Sequence, residues 1–168
     1  MPRLKHGQLD PLPWRRITGT DQARKDLHWS RLQESPEAFD DFKISREDFD
    51  EWLERFPCYE FGLVDEPVGL LLFVPGGGNA WVQGALYDWR YEGREPVLLA
   101  AARDMLMRGE AHRITSTINS DRPTARAVMQ RMGFTYEGTW RRAGARDADV
   151  EVWALLSNEV QEWQQQQQ

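Results

Sequence analysis

The spacing of apolar positions changes period several times along the chain, and each change predicts an element. Trp14, Arg16 and Thr18 alternate with Arg15 and Ile17, which predicts a first strand over Trp14–Thr18. Thr20 or Asp21 then caps a helix with Ala23, Leu27, Ser30 and Leu32 on its inner face, and Pro36 breaks or kinks it. Ser45-Arg46-Glu47-Asp48 has the form of a capping box. Phe49, Trp52, Leu53 and Phe56 follow at helical spacing before Pro57 stops the run.

From Tyr59 the period falls to two. Tyr59–Val64 and Val68–Val74 read as strands joined at Asp65-Glu66-Pro67, and Ala80–Trp89 as a third strand beyond the turn Pro75-Gly76-Gly77-Gly78-Asn79. Pro96 suits the first position of a helix carrying Leu98, Leu99, Ala102, Met105 and Leu106 and ending at Gly109. A strand over His112–Asn119 puts Ile114, Ser116 and Ile118 on one face. Asp121 caps a short helix with Pro123 just inside it, an apolar face of Ala125, Val128, Met129 and Met132, and Gly133 at its end. Two strands close the pattern, Phe134–Arg141 and Val150–Leu156, with a turn at Gly144–Ala148.

This order is β, α, α, a three-strand meander, then α, β, α, β, β. It predicts an α/β (α+β) fold with a mixed, mostly antiparallel sheet flanked by helices. At 168 residues the chain is expected to form a single domain, with Met1–Pro13 as an arm and Gln164–Gln168 as a low-complexity tail. The longest strongly apolar run, Val68–Val74, falls far short of the ~20 residues that span a bilayer. The N-terminus lacks the apolar segment of a secretory signal, and the single Cys58 has no disulfide partner; together these point to a cytoplasmic protein.

Charge is unevenly spread. Glu34–Glu66 holds 12 acidic residues against three basic ones, whereas Arg103–Arg146 holds nine arginines against four acids. The separation fits either plain solubility or a cationic substrate near the first region and an anionic cofactor near the second. The net charge of −6 argues against a nucleic-acid partner. His28 and His112 have no companion at metal-ligand spacing, so both are expected to be structural or exposed, and no metal site is predicted.

The phrase Ala125-Arg126-Ala127-Val128-Met129-Gln130-Arg131-Met132-Gly133-Phe134, with Glu137-Gly138, Arg141-Arg142, Asp149 and Glu162-Trp163, resembles the GNAT acetyltransferase superfamily and within it the ribosomal-protein N-terminal acetyltransferase branch. The resemblance covers roughly Tyr59–Trp163. It implies a fold in which two central strands splay and acetyl-coenzyme A (acetyl-CoA) lies in the gap, its pyrophosphate on a loop that opens a helix. The family loop, Arg/Gln-x-x-Gly-x-Gly/Ala, is matched here at Arg90 and Gly93 and departs at Glu95, with Pro96 removing an N–H donor. The implied cofactor-binding residues are Leu86 and Tyr87, of which one supplies the backbone N–H to the thioester carbonyl, with Arg90, Gly93, Arg94 and Val97.

For the chemistry, Asp88 and Glu60 are the candidate general bases. The family's thiolate-protonating tyrosine is replaced by Met129 and a frequent asparagine by Arg122, so Ser120 or Thr124 is the substitute hydroxyl. Trp52 and Glu51 are candidate acceptor-binding residues, on an acidic surface with Glu47, Asp48 and Glu54. The implied activity is direct acetyl transfer from acetyl-CoA to a primary amine of a cationic acceptor, either a small-molecule amine or a protein N-terminus. The alternatives are a catalytically degenerate GNAT-fold structural or interaction protein, for example a phage component, and an acyltransferase acting on a nucleic-acid base. An edge strand near the C-terminus makes a homodimer an open option.

Overall fold

The computed structural model describes residues 13–17, 19, 21–35, 44–87, 94–144 and 147–160, apart from the side chains of 86 and 94–96. The elements run β1 Trp14–Ile17, α1 Gln22–Glu34, α2 Arg46–Arg55, β2 Cys58–Gly62, β3 Pro67–Gly76, β4 Asn79–Leu86, α3 Arg94–Met107, β5 Arg113–Asn119, α4 Pro123–Arg131, β6 Thr135–Trp140 and β7 Val150–Leu156. This is the expected order. A helical turn at 157–160 follows β7. The seven strands lie in the order β1-β2-β3-β4-β5-β7-β6. The chain divides into two compact units, one of residues 1–71 and 84–100, the other of 72–83 and 101–168.

In the first unit, β1 pairs antiparallel with β2, Trp14 opposite Phe61 and Ile17 opposite Cys58. Asp21 caps α1 by accepting the Arg24 N–H at 2.8 Å. Ser45 caps α2 by accepting the Asp48 N–H at 3.1 Å while its hydroxyl donates to the Asp48 carboxylate at 2.6 Å. Such a cap is worth about 1 kcal/mol. Phe49 and Leu53 turn α2's apolar face inward, and Trp29 of α1 packs on Phe49 with ring centroids 5.4 Å apart. Gly69 is a strand residue with no room for a side chain, because the Phe61 ring lies across it and the Ala85 carbonyl oxygen is 2.8 Å from where a Cβ would sit.

In the second unit, Gly77 and Gly78 form a two-residue turn, both with positive φ (58° and 85°), as the twist of a tight hairpin requires. β4 pairs parallel with β5 at Asn79–Trp81 against Arg113–Thr115, and β4 then continues to Leu86. β5 and β6 flank β7 antiparallel. β7 is buried from Val150 through Leu155, while β6 at the sheet edge is largely exposed. A register irregularity between Tyr136 and Gly138 interrupts that edge, a feature that discourages pairing with another chain.

Three local expectations are corrected. The inner face of α1 is Lys25, His28 and Leu32, so two of its three buried positions are polar. α4 is capped by Arg122 with no side-chain bond, because Asp121 lies one residue too early. α3 begins at Arg94, which puts Pro96 in the middle of its first turn, a position whose missing N–H breaks no helical bond. Thr18, Trp89, the arm up to residue 12 and the Gln tail lie outside the described residues.

Gly69→Ala should cost roughly 2–3 kcal/mol, since the added methyl must displace the Phe61 ring or the β4 backbone. Urea unfolding of the purified variant measures this; a loss below the error of the fit would contradict the packing described.

Candidate active site

The first unit buries a group of polar side chains drawn from four separate segments. Glu60 on β2 is 3% exposed and His28 on α1 is fully buried. His28 Nε2 lies 2.8 Å from Glu60 Oε2, and His28 Nδ1 lies 2.9 Å from the Tyr87 hydroxyl. Arg24 donates its Nε–H to Glu60 at 2.7 Å, and Arg15 on β1 donates to the other carboxylate oxygen. Arg24 also donates to the Val64 carbonyl.

Three cations or potential cations around one carboxylate decide its protonation. Burial works against the charged form, but the hydrogen bonds from His28, Arg24 and Arg15 outweigh it and hold the Glu60 pKa down at about 2, from 4.5. An ionised carboxylate only accepts hydrogen bonds, so His28 Nε2 carries a proton. In the neutral ring Nδ1 is then the acceptor, and the Tyr87 hydroxyl donates to it. Burial, reinforced by the Glu60 charge, pushes the Tyr87 phenol up, so it stays protonated. A carboxylate with so low a proton affinity and both oxygens occupied is a poor general base. This geometry argues against that role for Glu60 and gives it a charge-holding one.

Tyr87 is also fixed through its backbone. Its N–H donates to the Val68 carbonyl at 2.9 Å, and its carbonyl accepts from the Ser35 hydroxyl at 2.7 Å. The Tyr87 N–H is therefore committed within the sheet, which removes it as the expected backbone donor. N–H groups alternate in direction along a strand, so the Leu86 N–H points to the edge of β4 away from β3. At α3 the first-turn donors are the N–H groups of Arg94 and Glu95, because Pro96 has none. Val97 is wholly buried, so its side chain packs rather than contacts a ligand.

The remaining candidates are scattered. Ser120 follows β5 and is half-buried, its N–H bonded to the Asp149 carbonyl at 2.9 Å. Trp52 is half-buried on α2, and Glu51 is exposed and paired with Arg55. Met129 is buried on α4. Asp88, Arg90 and Gly93 lie outside the described residues, as do the side chains of Leu86, Arg94 and Glu95. Burial pushes the Cys58 thiol up to about 12, which makes it inert as a nucleophile at neutral pH. Among the described residues no cluster of His, Cys, Asp and Glu is arranged to hold a metal ion, and no helix is long and apolar enough to cross a membrane.

The acidic surface expected around α2 is largely neutralised in place. Glu54 pairs with Lys25, and Arg46 bridges Asp26 at 2.6 Å and Asp50 at 2.9 Å. The arginine-rich half behaves likewise: Arg113 pairs with Glu137 and Arg126 with the buried Glu151. The role of His28 was not visible in sequence, because its partners lie 32 and 59 residues away.

No protein-family model and no curated protein matches the sequence. Solved structures do match the fold. One is a ribosomal-protein alpha-N-acetyltransferase in complex with coenzyme A, with a TM-score of 0.69 and 19% identity over 85% of this chain and 94% of that one. A ribosomal-protein-alanine N-acetyltransferase from Brucella melitensis gives 0.67 and 17% over 86% and 99%. A spermidine N-acetyltransferase variant from Vibrio cholerae gives 0.68 and 15% over 88% and 96%. The chain has the GNAT fold.

A depressed carboxylate pKa contributes stability that is present above the ordinary value near 4.5 and is lost as pH falls toward 2. Glu60→Gln should therefore lower stability at pH 7 by roughly 3 kcal/mol and flatten the acid limb of the stability–pH curve. Denaturant unfolding from pH 7 to 2 checks this, and parallel curves for the two proteins would contradict it.

Proposed function

We propose that the chain transfers an acetyl group from acetyl-CoA directly to a primary amine. The observation that carries this reading is the end of β4. Within the GNAT fold, Leu86 presents its N–H at the strand edge away from β3, immediately ahead of residues 88–93 and the first turn of α3. A backbone donor aimed at a thioester carbonyl stabilises the oxyanion that forms when the amine attacks. The solved neighbours that act on ribosomal-protein N-termini or spermidine support the amine as acceptor class.

The residues present fit the cosubstrate with one donor fewer than the family loop offers. Gly93 allows close backbone approach, Arg90 and Arg94 supply positive charge, and the N–H groups of Arg94 and Glu95 with the helix dipole hold the pyrophosphate. In the transfer, the amine nitrogen bonds to the thioester carbon and the carbon–sulfur bond breaks. Asp88 takes the proton that leaves nitrogen, and the departing thiolate takes one from solvent. With Glu60 saturated by donors, Asp88 is the carboxylate left for the base. Trp52 and the exposed Glu47 and Asp48 at the start of α2 receive the cationic acceptor; Glu51, already paired with Arg55, contributes less.

A second reading, a catalytically degenerate GNAT-fold structural or interaction protein, is favoured by Met129. That position is buried and holds a thioether where the family's proton donor stands. Two measurements separate the readings. Coenzyme A at about 100 times its Kd should stabilise the protein by about 2.7 kcal/mol in thermal unfolding. Gly93→Trp should abolish that gain. Acetyl-CoA with a panel of primary amines should then release free thiol. Binding without thiol release, or no stabilisation at millimolar coenzyme A, sinks the transferase and selects the second reading.

A further inference from the structure

Tyr87 is gripped by α1 at two places, and neither bond belongs to the sheet. Ser35, the C-terminal cap of α1, donates to the Tyr87 carbonyl at 2.7 Å, and His28, two turns earlier, meets the Tyr87 hydroxyl at 2.9 Å. The third bond, from the Tyr87 N–H to Val68, is the last rung tying β4 to β3 on this side. Leu86 and Tyr87 share a planar peptide bond, so the pose of the Leu86 peptide depends on how its neighbour is held.

The histidine is itself immobilised. It is fully buried, its Nε2–H is anchored on Glu60 at 2.8 Å, and Glu60 is fixed in turn by Arg15 of β1 and by Arg24 of the same helix α1. A buried network of this kind is costly to assemble and adds little net stability over apolar packing of the same volume. What it supplies is one defined geometry, because each donor has a single acceptor within reach. Here the defined quantity is the position of the phenol oxygen, and through the rigid tyrosine ring, that of the Tyr87 backbone.

We propose that His28 is a positioning residue that acts through the Tyr87 hydroxyl to set the end of β4, and with it the Leu86 amide, for the thioester of the cosubstrate. The inference rests on the acetyl-CoA reading for its functional half only. Glu60 is then the anchor of a chain running Glu60, His28, Tyr87, Leu86, and its effect on the reaction is exerted through position rather than proton transfer.

Two kinds of variant separate positioning from bulk stability. Tyr87→Phe keeps the ring and removes the hydroxyl. It should leave the melting temperature within a few degrees of wild type, lower kcat about fivefold, the equivalent of one hydrogen bond, and leave the KM values for acetyl-CoA and the amine within twofold. His28→Gln retains an amide for Glu60 but none at the Nδ1 position, and should behave like Tyr87→Phe. His28→Asn places its amide near Nδ1 but gives up the bond that anchors it on Glu60, and should not restore the wild-type kcat. An unchanged kcat in Tyr87→Phe, full activity in His28→Asn, or effects that simply track melting temperature across the three, would overturn the proposal.

Amide hydrogen exchange supplies a readout that needs no turnover. In Tyr87→Phe the amide at position 87, bonded to Val68 in the wild type, should exchange at least about tenfold faster, with core amides of β7 unchanged. Faster exchange in a protein that never consumes acetyl-CoA would remove the proposed function and leave the positioning of the strand end standing. Unchanged exchange removes the positioning, whatever the activity.

Discussion

A carboxylate taken out of water must be met by positive charge or hydrogen-bond donors, and Glu60 is the point in the first unit where that demand is greatest. Its two oxygens draw Arg15 from β1, Arg24 and His28 from α1, and through His28 the Tyr87 hydroxyl at the end of β4. Each partner lost leaves the buried charge less well compensated, a penalty that ordinary apolar packing does not carry. The helix α1 is therefore located by its polar side. Its inward positions are Lys25, His28 and Leu32, and the apolar contribution comes mainly from Leu32 and from Trp29 against Phe49 of α2.

This explains which parts of the structure are legible in the sequence. Elements whose signals are local were readable: the capping box at Ser45, the Gly77-Gly78 hairpin, the helix ending at Gly133, and the positions of strands β5, β6 and β7. α1 misled because periodicity assigns the inner face to apolar residues, and the helix instead turns inward the side chains that find partners on β2 and β4. Nothing near His28 in sequence announces Glu60 or Tyr87. The cap of α4 misled for a smaller reason, since a capping residue one position too early is a shift that spacing alone does not resolve.

The uneven charge distribution has a similar resolution. Acidic and basic runs along the sequence suggested two surfaces of opposite potential. In the fold much of that charge closes on itself, as in the Lys25–Glu54, Arg46–Asp26 and Arg126–Glu151 pairs. The exposed Arg46–Asp26 pair is worth about 0–1 kcal/mol, and all three mainly cancel field. Glu47 and Asp48 stay exposed where α2 begins. Under the proposed function they would face the cationic acceptor, and the N–H groups where α3 begins would face the pyrophosphate.

The central claim is that acetyl-CoA binds where β4 ends and α3 begins. Backbone amide NMR of the full chain, titrated with acetyl-CoA, tests it most directly. The account predicts saturable shifts at Leu86, Arg94 and Glu95, with the Tyr87 amide moving less because it stays bonded to Val68. Shifts confined to other parts of the chain, or none at millimolar ligand, would contradict it.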